Sequence, residues 1–177
     1  MRCKNCKEKF EPKTFLQKYC TKEECLRVFV QKNNEKVWKE KVKKHKQGEK
    51  ETWLKLARVT CHTYIRLRDK DKGCISCEKP LQPKNTDAGH MWSSGNHSYL
   101  RYNEFNINGQ CSRPCNKDKA GDINNYRINF IKRYSQELLD ELDQQAKKEK
   151  RYNIDDLKEV IEYFKKKTNE LKLYQKE

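Results

Sequence analysis

The chain has 177 residues, 38% of them charged and 34% hydrophobic, with 41 Lys plus Arg against 26 Asp plus Glu and a net charge of +15. That length suits one or two small domains, and so little apolar material excludes one large core. No stretch approaches the ~20 apolar residues of a transmembrane helix, and the opening MRCKNC lacks the apolar run of a secretory signal. A cytoplasmic location is therefore expected, where clustered cysteines hold metal more often than they form disulfides.

Taken in chain order, residues 1–25 form a small cysteine module. The segment 26–72 follows with 15 Lys plus Arg against 6 Asp plus Glu, so it holds most of the excess charge. A basic surface of this density attracts polyanions, nucleic acid above all. The spacing predicts a solvent-exposed helix over about 26–47, a break at Gly48 and a second helix over about 50–70. That second helix would share one apolar face of Trp53, Leu56, Ala57, Thr60, Tyr64 and Leu67. Five of the six Gly and three of the four Pro fall between 73 and 121, which predicts short strands and loops there. In 123–177 a helix is expected over about 124–147 and another from near Asn153, packed as a hairpin against the central region. There Asn153-Ile-Asp-Asp156 supplies an N-cap and first-turn acids, and Leu157, Ile161 and Phe164 share a face. The fold class is thus α+β, small and metal-stabilised, with modules at 1–25, 26–72, 73–122 and 123–177.

Eight of the nine cysteines fall into two sets. Cys3-x2-Cys6 pairs with Cys20-x4-Cys25, and Cys74-x2-Cys77 with Cys111-x3-Cys115. Close pairs of this kind place sulfurs ~2.3 Å from one ion, and two pairs complete a tetrahedron around zinc. Four thiolates leave no open position for a catalytic water, so both zinc ions would be structural. A chain this poor in apolar residues gains ~10 kcal/mol or more per site from such coupling. The first set looks like a zinc ribbon or treble-clef finger, while Cys61 reads as a buried small residue in a helix.

Between and just after the second pairs lie Asp87-Ala-Gly-His90, Arg101-Tyr-Asn-Glu-Phe-Asn106, and Cys115-Asn116-x2-Lys119. These are the groups phosphodiester hydrolysis requires. A neutral His can take a proton from water near pH 7. Oxygen donors hold a hard cation that steadies the phosphate, and Arg and Lys neutralise its growing charge. His97, in a Gly-Ser loop, reads as exposed and uninvolved, and His45 and His62 as helical residues without a visible partner.

This region resembles the HNH, or ββα-metal, endonuclease fold, with His90 on the first strand, Asn106 in the intervening segment and Asn116 at the start of the following helix. Gly89 stands where that pattern has a His or Asp. Either Asp87 reaches the cation, or His90 is itself a ligand and another group is the base. Across nearly the whole chain, Asp-Ala-Gly-His (87–90), Leu-Arg-Tyr-Asn-Glu-Phe-Asn-Ile (100–107), Gln-Cys-x3-Cys-Asn (110–116), Lys-Ala-Gly-Asp (119–122) and Tyr126-Arg127 are similar to the phage lambda NinG (Rap) recombination family. That resemblance implies a structure-specific endonuclease, acting in the bacterial host cytoplasm, that cuts Holliday junctions and D-loops with magnesium or manganese.

The expected catalytic residues are His90, Asp87, Asn106 and Asn116, with Asp87 and Asn116 on the divalent cation. Arg101, Lys119, Arg127, Lys39 and Lys43 are the expected DNA contacts. The partners would be branched DNA and phage or host recombination proteins, with no membrane; a two-fold junction also suggests a homodimer. Two other readings are a zinc-containing nucleic-acid adaptor without catalysis and a sequence-specific HNH nuclease.

Overall fold

The computed structural model describes residues 1–174. The chain divides into two compact units, Met1–Glu49 and Lys50–Glu177. Helix α1, Glu23–Arg68, runs through the division without a break at Gly48. One Gly in a helix costs only ~1 kcal/mol relative to Ala, and Lys, Gln and Glu on both sides favour the helix. Glu23 and Glu24 in its first turn and Arg66 and Arg68 in its last complement its dipole.

In the first unit the buried core is confined to Cys3, Cys20 and Cys25, with Cys6, Phe10 and Tyr19 around them. One isolated bridge pairs Arg2 with Lys9. Beyond the cysteines α1 is exposed here, Trp38 included, as its lack of an apolar face requires.

In the second unit, strands β1 (Thr86–His90) and β2 (Ile107–Cys111) pair antiparallel, with Thr86 opposite Cys111 and His90 opposite Ile107. Helix α2 (Ile123–Arg133) and helix α3 (Gln136–Gln145) follow. The single helix expected over 124–147 is interrupted because Ser135 caps α3, its Oγ accepting from Leu138 N at 3.2 Å. Helix α4 spans Ile154–Tyr174 and starts with a reciprocal cap. Asp156 N donates to Asn153 Oδ1 and Asn153 N to Asp156 Oδ2, both at 2.8 Å.

Two apolar layers flank the strands. Ile75, Met91 and Leu100 pack with Tyr126, Phe130, Leu139 and Leu142 of α2 and α3. On the other side, Cys61, Tyr64 and Ile65 of α1 pack with Ala88, Ile107 and Phe164. Ala57 continues that layer against Leu157 and Ile161 of α4. So α4 shares its cores with α1 and the strands instead of closing a C-terminal hairpin with its predecessors. The buried face of α1 is Ala57, Cys61, Tyr64 and Ile65, while Leu56 is 43% exposed. Cys61 is buried as expected, and burial pushes its thiol up to about 12, which makes it unreactive.

A buried ion pair joins α1 to the strands. Asp69 accepts from Arg68 Nε and Nη2 at 2.7 and 2.6 Å and from Gly109 N at 2.8 Å. Arg68 also donates to the carbonyls of Glu104 and Ile107. Although burial opposes its charge, the Arg68 fork holds the Asp69 carboxyl low, so this is a fully partnered pair.

Candidate metal centres and active site

The eight paired cysteines converge as two clusters, Cys3, Cys6, Cys20, Cys25 and Cys74, Cys77, Cys111, Cys115, with the sulfurs of each within 4.8 Å of one another. Cys6 and Cys20 Sγ stand 3.7 Å apart, and Cys77 and Cys111 Sγ 3.8 Å. A tetrahedron with ~2.3 Å metal–sulfur bonds has edges of ~3.8 Å, so both sets fit an ion such as zinc.

The two C-x2-C knuckles share one backbone conformation. Cys3 N donates to Glu8 O at 2.9 Å and Cys74 N to Lys79 O at 2.8 Å, and the residues after the pairs, Lys7 and Glu78, hold φ of 63° and 60°. Each knuckle aims N–H groups at its first sulfur. Burial opposes ionisation of Cys3, but donors from Cys20, Asn5 and Cys6 outweigh it and hold the thiol at about 6. Cys74 is lowered in the same way, against burial, by donors from Cys111, Cys77 and Ser76. Cys111 goes up to about 12 through burial and its thiolate neighbours, and Cys115 is raised in the same way. A bound cation would reverse that repulsion.

The second cluster fixes the strands. Cys111 ends β2, and the turn Ser112–Asn116 carries Cys115 and then Asn116 beside β1. There Asn116 Nδ2 donates to Asp87 Oδ2 at 2.9 Å. The amide's oxygen and the second carboxylate oxygen are left as hard acceptors on one edge of the hairpin. Gly89 has no side chain to offer as a ligand, and Gln110 leaves no room for one, since a Cβ there would stand 2.2 Å from Gln110 Oε1. Gln110 is buried between the strands and the following turn, with Nε2 donating to Ser76 Oγ at 2.6 Å and to Gly121 O.

His90, the last residue of β1, faces a cleft of about 680 Å³ lined also by Arg58, His62, Arg101, Tyr102 and Asn116. Its Nε2 lies 3.1 Å from the carbonyl of Arg101. A carbonyl only accepts, so Nε2 carries the hydrogen and Nδ1 of the neutral ring is an acceptor. Burial, partly offset by that hydrogen bond, holds the His90 pKa below its ordinary value. His62 of α1 lies with its ring centroid 5.6 Å from that of His90. Burial and the neighbouring His90 hold His62 at about 4, so it is neutral near pH 7. A smaller adjoining cleft of about 330 Å³ brings together Arg58, His62, Arg66, Asp87 and Asn116.

The structure therefore brings His90, Asp87, Asn116 and Arg101 to one place and leaves other expected site residues outside it. Asn106 is fully buried. Its amide accepts from Trp92 N at 2.8 Å and donates to the carbonyls of Trp92 and Leu100, holding the loop between the strands. Arg127 pairs with Asp143, joining α2 to α3. Lys119 is exposed and stands 3.7 Å from Asp122. Lys39 and Lys43 lie in the first unit along a shallow groove of α1, with Lys32 and Lys36. Arg101 lines the cleft, but its Nε and Nη2 donate to Ser94 O. His97 is half-buried, its Nδ1 2.9 Å from Ala146 O and its ring against Trp92; the expected Gly-Ser loop is pinned to the end of α3.

Sequence reasoning missed Arg58, His62 and Arg66. Their spacing of four residues was visible, but they lie beside the expected apolar face, of which Ala57 and Tyr64 are buried, and no motif marked them. Among the described residues no helix is long and apolar enough to cross a membrane.

These features define a helix-rich α+β protein with two four-cysteine centres, the second bracing a strand hairpin. The chain belongs to the bacteriophage lambda NinG protein family, whose model matches residues 1–175. It is 31% identical to protein ninG of Escherichia phage lambda, over 97% of this chain and 93% of the relative. To protein ninG of Salmonella phage P22 it is 29% identical over the same shares, and to that of Enterobacteria phage H19B 30% over 90% and 87%. No solved structure matches it.

Proposed function

We propose that this protein is a metal-dependent endonuclease of the HNH type that cuts branched DNA, such as four-way junctions and D-loops, during phage recombination. The observation that carries the reading is His90 in the cleft, its Nε2 committed to the Arg101 carbonyl and its Nδ1 left to accept a proton. In this role Nδ1 takes a proton from water as the water attacks the phosphorus and the 3′-oxygen leaves. Asp87 and Asn116 are the residues that would hold magnesium or manganese. Such an ion supplies charge stabilisation for the crowded phosphate and the departing oxygen. The two cysteine clusters keep their ions, zinc in this reading, out of the chemistry by full thiolate coordination. The basic chain supplies backbone contacts that carry no base sequence, which suits recognition of DNA shape. A homodimer on a two-fold junction and a recombination partner for the first unit belong to the same proposal.

The test is cleavage by the zinc-loaded protein of a labelled four-way junction against a matched linear duplex, with magnesium, with manganese and without either. Metal-dependent cutting of the junction in preference to the duplex is expected. Tight binding without cutting in any metal would instead make it an adaptor, and cutting the duplex at one sequence would make it a sequence-specific nuclease.

A further inference from the structure

We propose that Arg58 and Arg66, on the face of α1 that borders the site, form a phosphate clamp for the DNA strand to be cut. The proposal deepens the nuclease reading and rests on it for the identity of the ligand.

Five of the eight arginines of the second unit are engaged within the protein, Arg113 by Asp118. Arg68, Arg101, Arg127 and Arg133 have their guanidinium groups engaged by protein acceptors: Asp69, the Ser94 carbonyl, Asp143, and the Lys72 and Gly73 carbonyls. Arg58 and Arg66 form no ion pair among the described residues, and the one hydrogen bond of Arg66 is a 3.5 Å contact with Thr63 Oγ1. Both nevertheless line the 330 Å³ cleft that also contains Asp87 and Asn116, and Arg58 borders the His90 cleft as well. Guanidinium forks suit phosphate oxygens because they donate in pairs and remain charged at any working pH.

Geometry extends the argument. Arg58, His62 and Arg66 follow at four-residue steps, so they share one face of α1. At a rise of 1.5 Å per residue the two arginines are ~12 Å apart along the axis. One phosphate cannot span that distance, whereas a strand offers a charge every ~3.4 Å of duplex axis. The strand would thus run along α1, with a phosphate at each arginine and the bond to be cut between them, opposite His62 and within reach of His90. His62, being neutral, would add a hydrogen bond there and no counterion release.

The test measures binding of a labelled single-stranded oligonucleotide and of a four-way junction by fluorescence anisotropy, without magnesium or manganese, over a series of salt concentrations. For Arg58→Ala with Arg66→Ala, the slope of log affinity against log salt on the single strand should fall by about 1.4, at about 0.7 per lost phosphate contact. Affinity should fall about tenfold or more. Replacing both by Lys should restore the slope, which also guards against a folding defect. Lys165→Ala with Lys166→Ala on α4 removes the same charge and should change the slope little. An unchanged slope and affinity in the Arg58/Arg66 double variant, or an equal loss in the α4 control, would overturn the clamp. Because no cleavage is read, a wild type that never cuts would defeat the nuclease reading while these outcomes still decide the clamp.

Discussion

The two cysteine clusters use the same knuckle for different ends. Around Cys3–Cys25 the sulfurs are nearly the entire core, and the chain leaves them on an exposed basic helix. Around Cys74–Cys115 the sulfurs sit beside cores built from helices α1 to α4 and the hairpin, and their chain neighbours belong to the polar cluster. Cys111 ends the strand opposite Asp87, and Cys115 immediately precedes Asn116. A four-cysteine site therefore replaces a hydrophobic core in one unit and sets the position of a polar site in the other.

The strongest way to break that comparison is to remove one ligand from each cluster. Cys77→Ser should lose one metal equivalent, and with it the ordered hairpin and all cleavage, because ~10 kcal/mol or more of binding free energy approaches a whole domain's stability. Cys6→Ser should also lose one equivalent, yet keep amide-exchange protection of β1 and β2. Metal analysis with hydrogen exchange checks both, and loss of hairpin protection in Cys6→Ser would contradict the division of labour.

Gly89→Ala probes the second unit alone. The added Cβ would stand 2.2 Å from Gln110 Oε1, and relieving that overlap should cost ~1–3 kcal/mol in a denaturant melt. The pH profile sharpens the role of His90. Its pKa is held below the ordinary ~6.5 by burial, and in the proposed reaction the neutral form is the base. The midpoint of the acid decline in single-turnover cleavage should therefore fall below that of an ordinary histidine, with a loss of about tenfold per unit once the ring is protonated. The smallest effect is expected for Arg127→Ala. It removes a half-exposed ion pair with Asp143, costs about 1 kcal/mol or less, and leaves DNA affinity unchanged in a titration.

Much of this was legible in the sequence. Cysteine spacing identified both clusters, and the Gly and Pro distribution located the strand region, because ligand geometry and backbone restriction are local rules. That His90, Asp87 and Asn116 lie near one another was legible for the same reason, each being tied to a strand or a cysteine knuckle. The engagement of Asn106 and Arg127 within the protein was not legible, because polar residues in a short motif look alike whether they face a substrate or the protein, and only burial and partners separate them. Gly48 was misread as a break because helix propensity is summed over many residues, so one glycine does not decide it. The shared face of Arg58, His62 and Arg66 depended on how α1 rolls onto β1 and α4, which packing sets and composition does not.

The most direct test of the account is single-turnover cleavage of a four-way junction in magnesium by wild type and by His90→Ala, each confirmed to hold two zinc equivalents and the same helix content. A loss of ~100-fold or more is expected for the variant. Full cleavage by His90→Ala would contradict the assignment of the base and of the cleft around it.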